Sequence, residues 1–153
     1  MTFPGGLVQT SSGVAIAFAT PGDRVPGTLN TGAVTLGFTS ATALPIGGKI
    51  TLALPAGYFS AVDSSKSNTA TNAGSAIASF TATCVRTAGA VGTFVLGIAS
   101  ADTVVCTTAG ATMPAGVNVL TLIAGAVTTG TPQAAATFNA QTSVDLLLAS
   151  PAA

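Results

Sequence analysis

The sequence predicts an all-β protein, an immunoglobulin-like antiparallel β-sandwich of about seven to nine strands. Apolar residues alternate with small polar ones in short runs, and Gly and Pro interrupt the chain between these runs. Alternation with a period of two places one face of a strand on a core and the other toward solvent or a partner. Short strands separated by frequent turn signals are typical of sandwiches and barrels.

Two runs show the alternation most clearly. In "GAVTLGFTS", Val34, Leu36 and Phe38 alternate with Thr and Gly, and "GKITLAL" repeats the pattern over 48–54. Thr and Val are abundant and no capped amphipathic helix is present, so a helical interpretation fails. Further strands are predicted at 14–18, 77–84, 93–98, 103–106, 117–123, 135–140 and 142–148.

The length of 153 residues predicts one domain, since a chain of this size can bury a core of its own. We expect the β-sandwich domain to span residues 1–153, with assembly or linker segments at 1–18 and 142–153. The longest polar segment, "SAVDSSKSNTATNAGS" (60–75), is predicted to be a loop, either a mobile spacer or a contact loop.

The chain has very few charges. Four acidic and four basic residues make up 5% of the sequence, whereas roughly a quarter of an ordinary domain is charged. No basic cluster is present for nucleic acid or for an anionic membrane. The most apolar run, "GVNVLTLIAGAV", is shorter than the about twenty residues of a membrane helix. We therefore expect no nucleic-acid partner and no membrane span.

This composition indicates a surface that is covered by other molecules. Ala, Thr, Gly and Ser form more than half of the chain, and the net charge is zero, which promotes association. Neighbouring subunits in a homo-oligomer or polymer, O-linked glycans on Thr or Ser, or both, are the expected covering. The alternative is a monomer with a neutral, hydroxyl-rich face.

The two cysteines lie in similar phrases, "TATCVRTAGA" and "TVVCTTAGA", which we interpret as two strand-to-turn transitions. Cys84 and Cys106 are separated by the predicted strand "TFVLGIAS". In a sandwich, strands separated by one other strand can face each other across the core, close enough for a disulfide. Two buried thiols are the alternative. A disulfide indicates an oxidising, extracellular compartment.

No motif specifies an enzymatic reaction, so we expect a non-enzyme without catalytic, cofactor-binding or metal-binding residues. The chain has no His, and its Ser and Thr residues lack a recognisable partner base. The four Asp residues are interpreted as solvated turn residues rather than as paired catalytic carboxylates. The segment "DSSKSN" lacks the further acids and the Gly of a calcium loop.

Three phrases resemble a known class of repeat protein: "LPIGGKITLALPAGYF", "TVVCTTAGATMPAGVNVLTL" and "GAVTTGTPQAAATFNAQTS". Together they are similar to one unit of the long tandem-repeat surface proteins predicted in marine microalgae and related protists. The resemblance runs from Ala33 to Ser143 and concerns strands and turns. It implies immunoglobulin-like β-sandwich units that follow one another in an extracellular chain.

The first functional expectation is therefore an extracellular structural protein, a self-assembling subunit or repeat unit of a surface filament, sheath or layer. Exposed sheet edges pair readily with another chain unless charge guards them. The candidate assembly residues are apolar and lie near the two ends: Leu7, Val8, Val14, Ile16, Phe18, Val144, Leu146, Leu147 and Leu148.

The alternative is an adhesin-like or carbohydrate-binding module, with Tyr58 as the candidate ligand contact because sugar sites usually want exposed aromatic rings. An ice-binding role is less well supported. Thr-x-Thr pairs occur at 69/71, 81/83 and 129/131, and the gaps between them are irregular.

Overall fold

The computed structural model describes residues 15–40, 42–72, 80–92, 94–96, 98–99, 101–131 and 139–144. A 3-10 turn spans Pro21–Arg24. The strands are β1 (Ala15–Phe18), β2 (Val34–Ser40), β3 (Lys49–Leu54), β4 (Phe59–Val62), β5 (Asn68–Asn72), β6 (Phe80–Thr87), β7 (Phe94–Val95), β8 (Ile98–Ala99), β9 (Asp102–Ala109), β10 (Gly116–Leu122), β11 (Val127–Thr129) and β12 (Asn139–Thr142).

Eight of these strands form one sheet in the order β1-β2-β10-β5-β6-β9-β3-β12, and every neighbouring pair is antiparallel. The sheet curls into a half-barrel. The prediction of an all-β antiparallel fold is confirmed. The finer prediction of an immunoglobulin-like sandwich is not confirmed, because the eight strands share one hydrogen-bonded sheet instead of being divided between two facing sheets.

The period-two pattern decides which side of the sheet is buried. In β2, Val34, Leu36 and Phe38 are buried while the residues between them are half-buried or exposed, and β9 alternates in the same way. The inward side chains of the curled sheet meet in one apolar cluster. Burial of this face supplies the main free energy of folding, at about 25 cal/mol per Å² of apolar surface removed from water.

Two smaller elements complete the core. β4 and β11 pair with each other, and Phe59 and Val127 belong to the same apolar cluster as the main sheet. At the opposite end, an isolated bridge between Leu44 and Met113 buries both side chains completely. Gly130 is required beside the small sheet, because a Cβ there would lie 1.6 Å from the carbonyl oxygen of Gly57.

The predicted polar loop at 60–75 is wrong over most of its described part, since β4 extends to Val62 and β5 covers Asn68–Asn72. Asn68 is fully buried and its Oδ1 accepts a hydrogen bond of 3.0 Å from the Ile123 amide. Because this inward residue is polar, β5 lacks the apolar alternation from which other strands were predicted. β11 was also missed, and the predicted strand 93–98 is instead the short β7–β8 hairpin with Leu96 at φ 49° in its turn.

The cysteines form the expected disulfide, but the two strands that it joins are neighbours in one sheet. Cys84 on β6 and Cys106 on β9 stand directly opposite each other in neighbouring strands, with Cα atoms 4.0 Å apart. The bond therefore lies within one sheet and does not cross a core between two sheets. The segment between the strands leaves the sheet as the β7–β8 excursion, so it does not intervene between β6 and β9.

Replacing both cysteines by alanine is expected to lower the free energy of unfolding by about 3 kcal/mol. Without the cross-link the unfolded chain has more conformational entropy, which favours unfolding. Urea unfolding followed by circular dichroism measures the change. Val85→Ala is the matched control, since Val85 lies on the same strand with a side chain 53% exposed. Equal unfolding midpoints for the double variant and the native chain would contradict a stabilising role.

Candidate assembly surfaces

The main sheet has two edges, β1 and β12. Among the described residues, each of these strands is hydrogen-bonded to one neighbour only, β1 to β2 and β12 to β3. Both strands are four residues long and neither contains a charged residue or a proline. They therefore lack the charge and the proline that commonly guard a sheet edge, although their short length limits how much backbone each one offers.

The hydrogen bonds of each edge strand show which backbone groups point away from the sheet. The Ala19 amide donates to the Ala33 carbonyl at 2.9 Å, and the Ser143 amide donates to the Lys49 carbonyl at 2.8 Å. Hydrogen-bonded positions alternate along an antiparallel pair. The backbone groups of Ile16 and Phe18 on β1, and of Ala140 on β12, therefore face outward from the sheet.

The structure places the predicted assembly residues in different settings. Ile16 and Phe18 are each 8% exposed and belong to the core of their own chain, so these side chains do not form an exposed apolar surface. Val144 is 41% exposed just after β12. The remaining candidates lie outside the described residues: Leu7, Val8, Val14, Leu146, Leu147 and Leu148.

The outer face of the main sheet carries rows of threonine. Thr35, Thr121, Thr69 and Thr81 stand side by side on four neighbouring strands, although their positions in the sequence are scattered. Within the described strands, Lys49 is the one charged residue that shares this outer face. The threonine hydroxyls can therefore form hydrogen bonds with water on a surface where other proteins carry ionic side chains.

A buried carboxylate ties three segments together near one end of the sheet. Asp102 accepts hydrogen bonds from the amides of Gly57 and Gly89 at 2.9 and 2.8 Å. It also forms an ion pair of 2.6 Å with Arg86, and its side chain is 4% exposed. Burial alone would raise the pKa of Asp102, but the Gly89 amide, Arg86 and the Gly57 amide outweigh burial and lower it.

The interpretation of the Asp residues as solvated turn residues is wrong for two of the four. Asp102 and Asp23 are 3% and 1% exposed. Asp23 accepts hydrogen bonds of 2.8 Å from both the Gly32 amide and the Thr31 hydroxyl, which lower its pKa. Asp63 is exposed as predicted, and Asp145 lies outside the described residues.

Tyr58 is not on the surface. It is 6% exposed and packs edge-to-face on Phe59, with ring centroids 5.0 Å apart. Burial raises its pKa to about 12, against the opposing charge of Arg24. The ring consequently has no exposed face on which a sugar can stack.

An open groove of about 330 Å³ lies beside the small sheet. Leu29 and Val62 contribute apolar surface, and Asp63 and Lys66 contribute opposite charges. The Asp63 Oδ1 accepts hydrogen bonds from the Ser65 amide and hydroxyl at 2.9 and 2.6 Å. The groove thus combines apolar lining residues with an acid and a base, which is unusual in a chain with so few charges.

The described part of the chain contains no group of three or more residues that could hold a metal ion. No helix within it is long and apolar enough to cross a membrane. The surfaces that stand out are consequently the two sheet edges, the threonine face and the groove.

Asp102→Asn is expected to lower the free energy of unfolding by about 3 kcal/mol near neutral pH, because Arg86 loses its charged partner in a largely buried site. Chemical denaturation measures the loss. Asp63→Asn is the matched control, since it removes the same charge from an exposed position.

The lowered pKa of Asp102 also predicts a loss of stability in acid. The unfolded chain binds the proton more readily than the folded one, so stability falls as the pH drops below about 4, toward the folded pKa. The denaturation midpoint of the native chain should decline over this range. A decline equally steep in Asp102→Asn would assign the acid sensitivity to other groups.

No protein family model matches this chain, and comparison with curated proteins and with solved structures found no match.

Proposed function

We propose that the chain is a non-enzymatic structural subunit that assembles, through its sheet edges, into an extracellular filament, sheath or layer. The observation that carries the proposal is the pair of uncharged edge strands, β1 and β12, at opposite sides of one open sheet. A strand edge with unguarded backbone groups is a template for pairing with another chain. Two such edges on one subunit allow growth in both directions.

The remaining surface supports the same role. The outer face presents threonine hydroxyls with a single charge among its described strands, and the whole chain has a net charge of zero. Subunits of this kind approach one another without electrostatic repulsion. O-linked glycans on this hydroxyl-rich face are compatible with the proposal.

The disulfide supports an extracellular location. Bonds of this kind form and persist in oxidising compartments, and Cys84–Cys106 joins two central strands of the sheet. The finer proposal, a unit of a tandem-repeat surface protein with immunoglobulin-like units, rests on the sequence resemblance alone.

Placing lysine on both edges is expected to weaken self-association. In Ala17→Lys/Gln141→Lys, like charges meet wherever two edges pair, which should raise the dissociation constant about tenfold, or about 1.4 kcal/mol. Light scattering over a concentration series up to about 1 mM measures the association. Thr71→Lys/Thr87→Lys adds the same charge at exposed positions of the same face on the central strands β5 and β6, where neither residue opposes the other or Lys49. This control should leave the edge contact intact.

A particle that remains monomeric over the whole concentration series would contradict the proposal. So would an equal loss of association in the edge variant and the central-strand control. Electron microscopy of the native chain then distinguishes a filament from a layer.

A second candidate function, ligand binding, is favoured by the groove beside β4 and β11. Its volume of about 330 Å³ is at the lower end of the range for small-molecule sites. Because Tyr58 is buried, recognition would depend on Leu29, Asp63 and Lys66 instead of on an aromatic ring.

Screening the chain on glycan and peptide arrays tests this candidate. Any ligand held in the groove should be lost from Lys66→Ala and Leu29→Ala. Ile46→Ala removes an apolar side chain of similar exposure, 61% against 54% for Leu29, outside the groove and should retain binding. A ligand that binds all three variants alike is bound elsewhere.

A further inference from the structure

We propose that the partner of each edge is the opposite edge of a second copy of this chain, so that β12 of one subunit pairs antiparallel with β1 of the next. The inference rests on the proposed function, because it specifies how the edges would assemble. It defines a head-to-tail contact, which repeats without closing unless the subunits curve into a ring.

The direction of the strands supports this pairing. The main sheet contains an even number of strands, and each neighbouring pair is antiparallel. β1 and β12 therefore run in opposite directions. When a second subunit continues the curled sheet, β12 meets the next β1 antiparallel, and the alternation of the sheet continues across the boundary.

The backbone groups presented by the two edges are also compatible. The outward backbone groups at the two edges belong to Ile16 and Phe18 on β1 and to Ala140 on β12. The side chains of these three residues point into the core. Residues opposite each other in an antiparallel pair place their side chains on the same face. Pairing Phe18 with Ala140 therefore keeps both concave faces on the same side.

Side-chain size is complementary between the two edges. β1 carries its large residues, Ile16 and Phe18, on the inner face and the small Ala17 on the outer face. β12 shows the reverse, with the small Ala140 inside and the longer Gln141 outside. When Phe18 opposes Ala140, a large residue opposes a small one on the inner face, and Ala17 opposite Gln141 has the same complementarity on the outer face. In this register Ile16 opposes Thr142.

Engineered cysteines on the outer face test the pairing. If Phe18 opposes Ala140, Ala17 directly opposes Gln141, the arrangement that already joins Cys84 to Cys106 within the chain. Ala17→Cys and Gln141→Cys are prepared as separate variants, mixed at about 1 mM and oxidised gently. Covalent dimers are resolved by non-reducing electrophoresis and identified by peptide mass.

We expect the mixed dimer to form about tenfold faster than either homodimer, because pairing holds the two different thiols next to each other. Val91→Cys measures random collision, since Val91 is 97% exposed and lies outside both edges. Thermal unfolding checks that each variant is folded. Should Gln141→Cys unfold, Ser143→Cys is used with Ala15→Cys, because these two residues oppose each other in the same register.

The failures are distinguishable. Fastest formation of an Ala17→Cys homodimer overturns the head-to-tail pairing and leaves the structural role in place. Association by light scattering with crosslinking no faster than in Val91→Cys moves the contact away from the edges and overturns the pairing as well. Crosslinking of Ala17→Cys/Gln141→Cys within one chain shows that the half-barrel closes on itself, which overturns the pairing. Absence of any association overturns both proposals.

Discussion

The register between β6 and β9 is the constraint on which the rest of the fold depends. These strands occupy the centre of the main sheet, and a covalent bond between directly opposed cysteines fixes their alignment. Side chains alternate between the two faces of a strand, so a slip by one residue would exchange the two faces. Val104 would then leave the core and Thr103 would enter it. In strands composed largely of Thr, Val and Ala, such a slip changes side-chain size very little, and a covalent constraint on the register has correspondingly greater value.

Polar side chains compensate for the scarcity of charge in two ways. On the outer face, threonine provides hydration without ionic groups. In the interior, a few Asn and Asp residues satisfy the backbone groups of turns, since an unpaired buried amide or carbonyl is costly. Asn30 donates to the carbonyls of Gly32 and Ile123 and accepts from the Val127 amide. Asp102 performs the same role for Gly57 and Gly89, with Arg86 balancing its charge. The loops are held from within, and the surface is left nearly neutral.

Alternation in the sequence was sufficient to predict the longer strands whose inner residues are apolar, although it missed the short strands β4 and β11. Leu36 and Phe38 on β2 are such residues, and both are buried. Prediction failed at β5, because Asn68 faces inward and its burial depends on the Ile123 amide, which is 55 residues away. The cysteine pairing was predicted from two strands that face each other across a sandwich core, whereas the bond joins neighbours in one sheet. The spacing of 22 residues limits the size of a loop and leaves open which strands are neighbours. The sheet edges, the threonine rows and the groove all require strand order, so sequence patterns alone could not locate them.

The short length of the edge strands limits how tightly two subunits can bind. A contact between four-residue strands offers about four backbone hydrogen bonds, each with a net contribution of about 1 kcal/mol. Loss of translational and rotational freedom opposes association by about 4 kcal/mol or more. Backbone pairing alone therefore nearly cancels this cost, and side-chain packing at the boundary has to contribute about 4 kcal/mol for two subunits to pair at millimolar concentration. Linking units in one chain supplies such a concentration, in the millimolar range for a short flexible linker. In the proposed assembly, a tandem arrangement of units, as the sequence resemblance implies, would provide the concentration that edge-to-edge pairing needs.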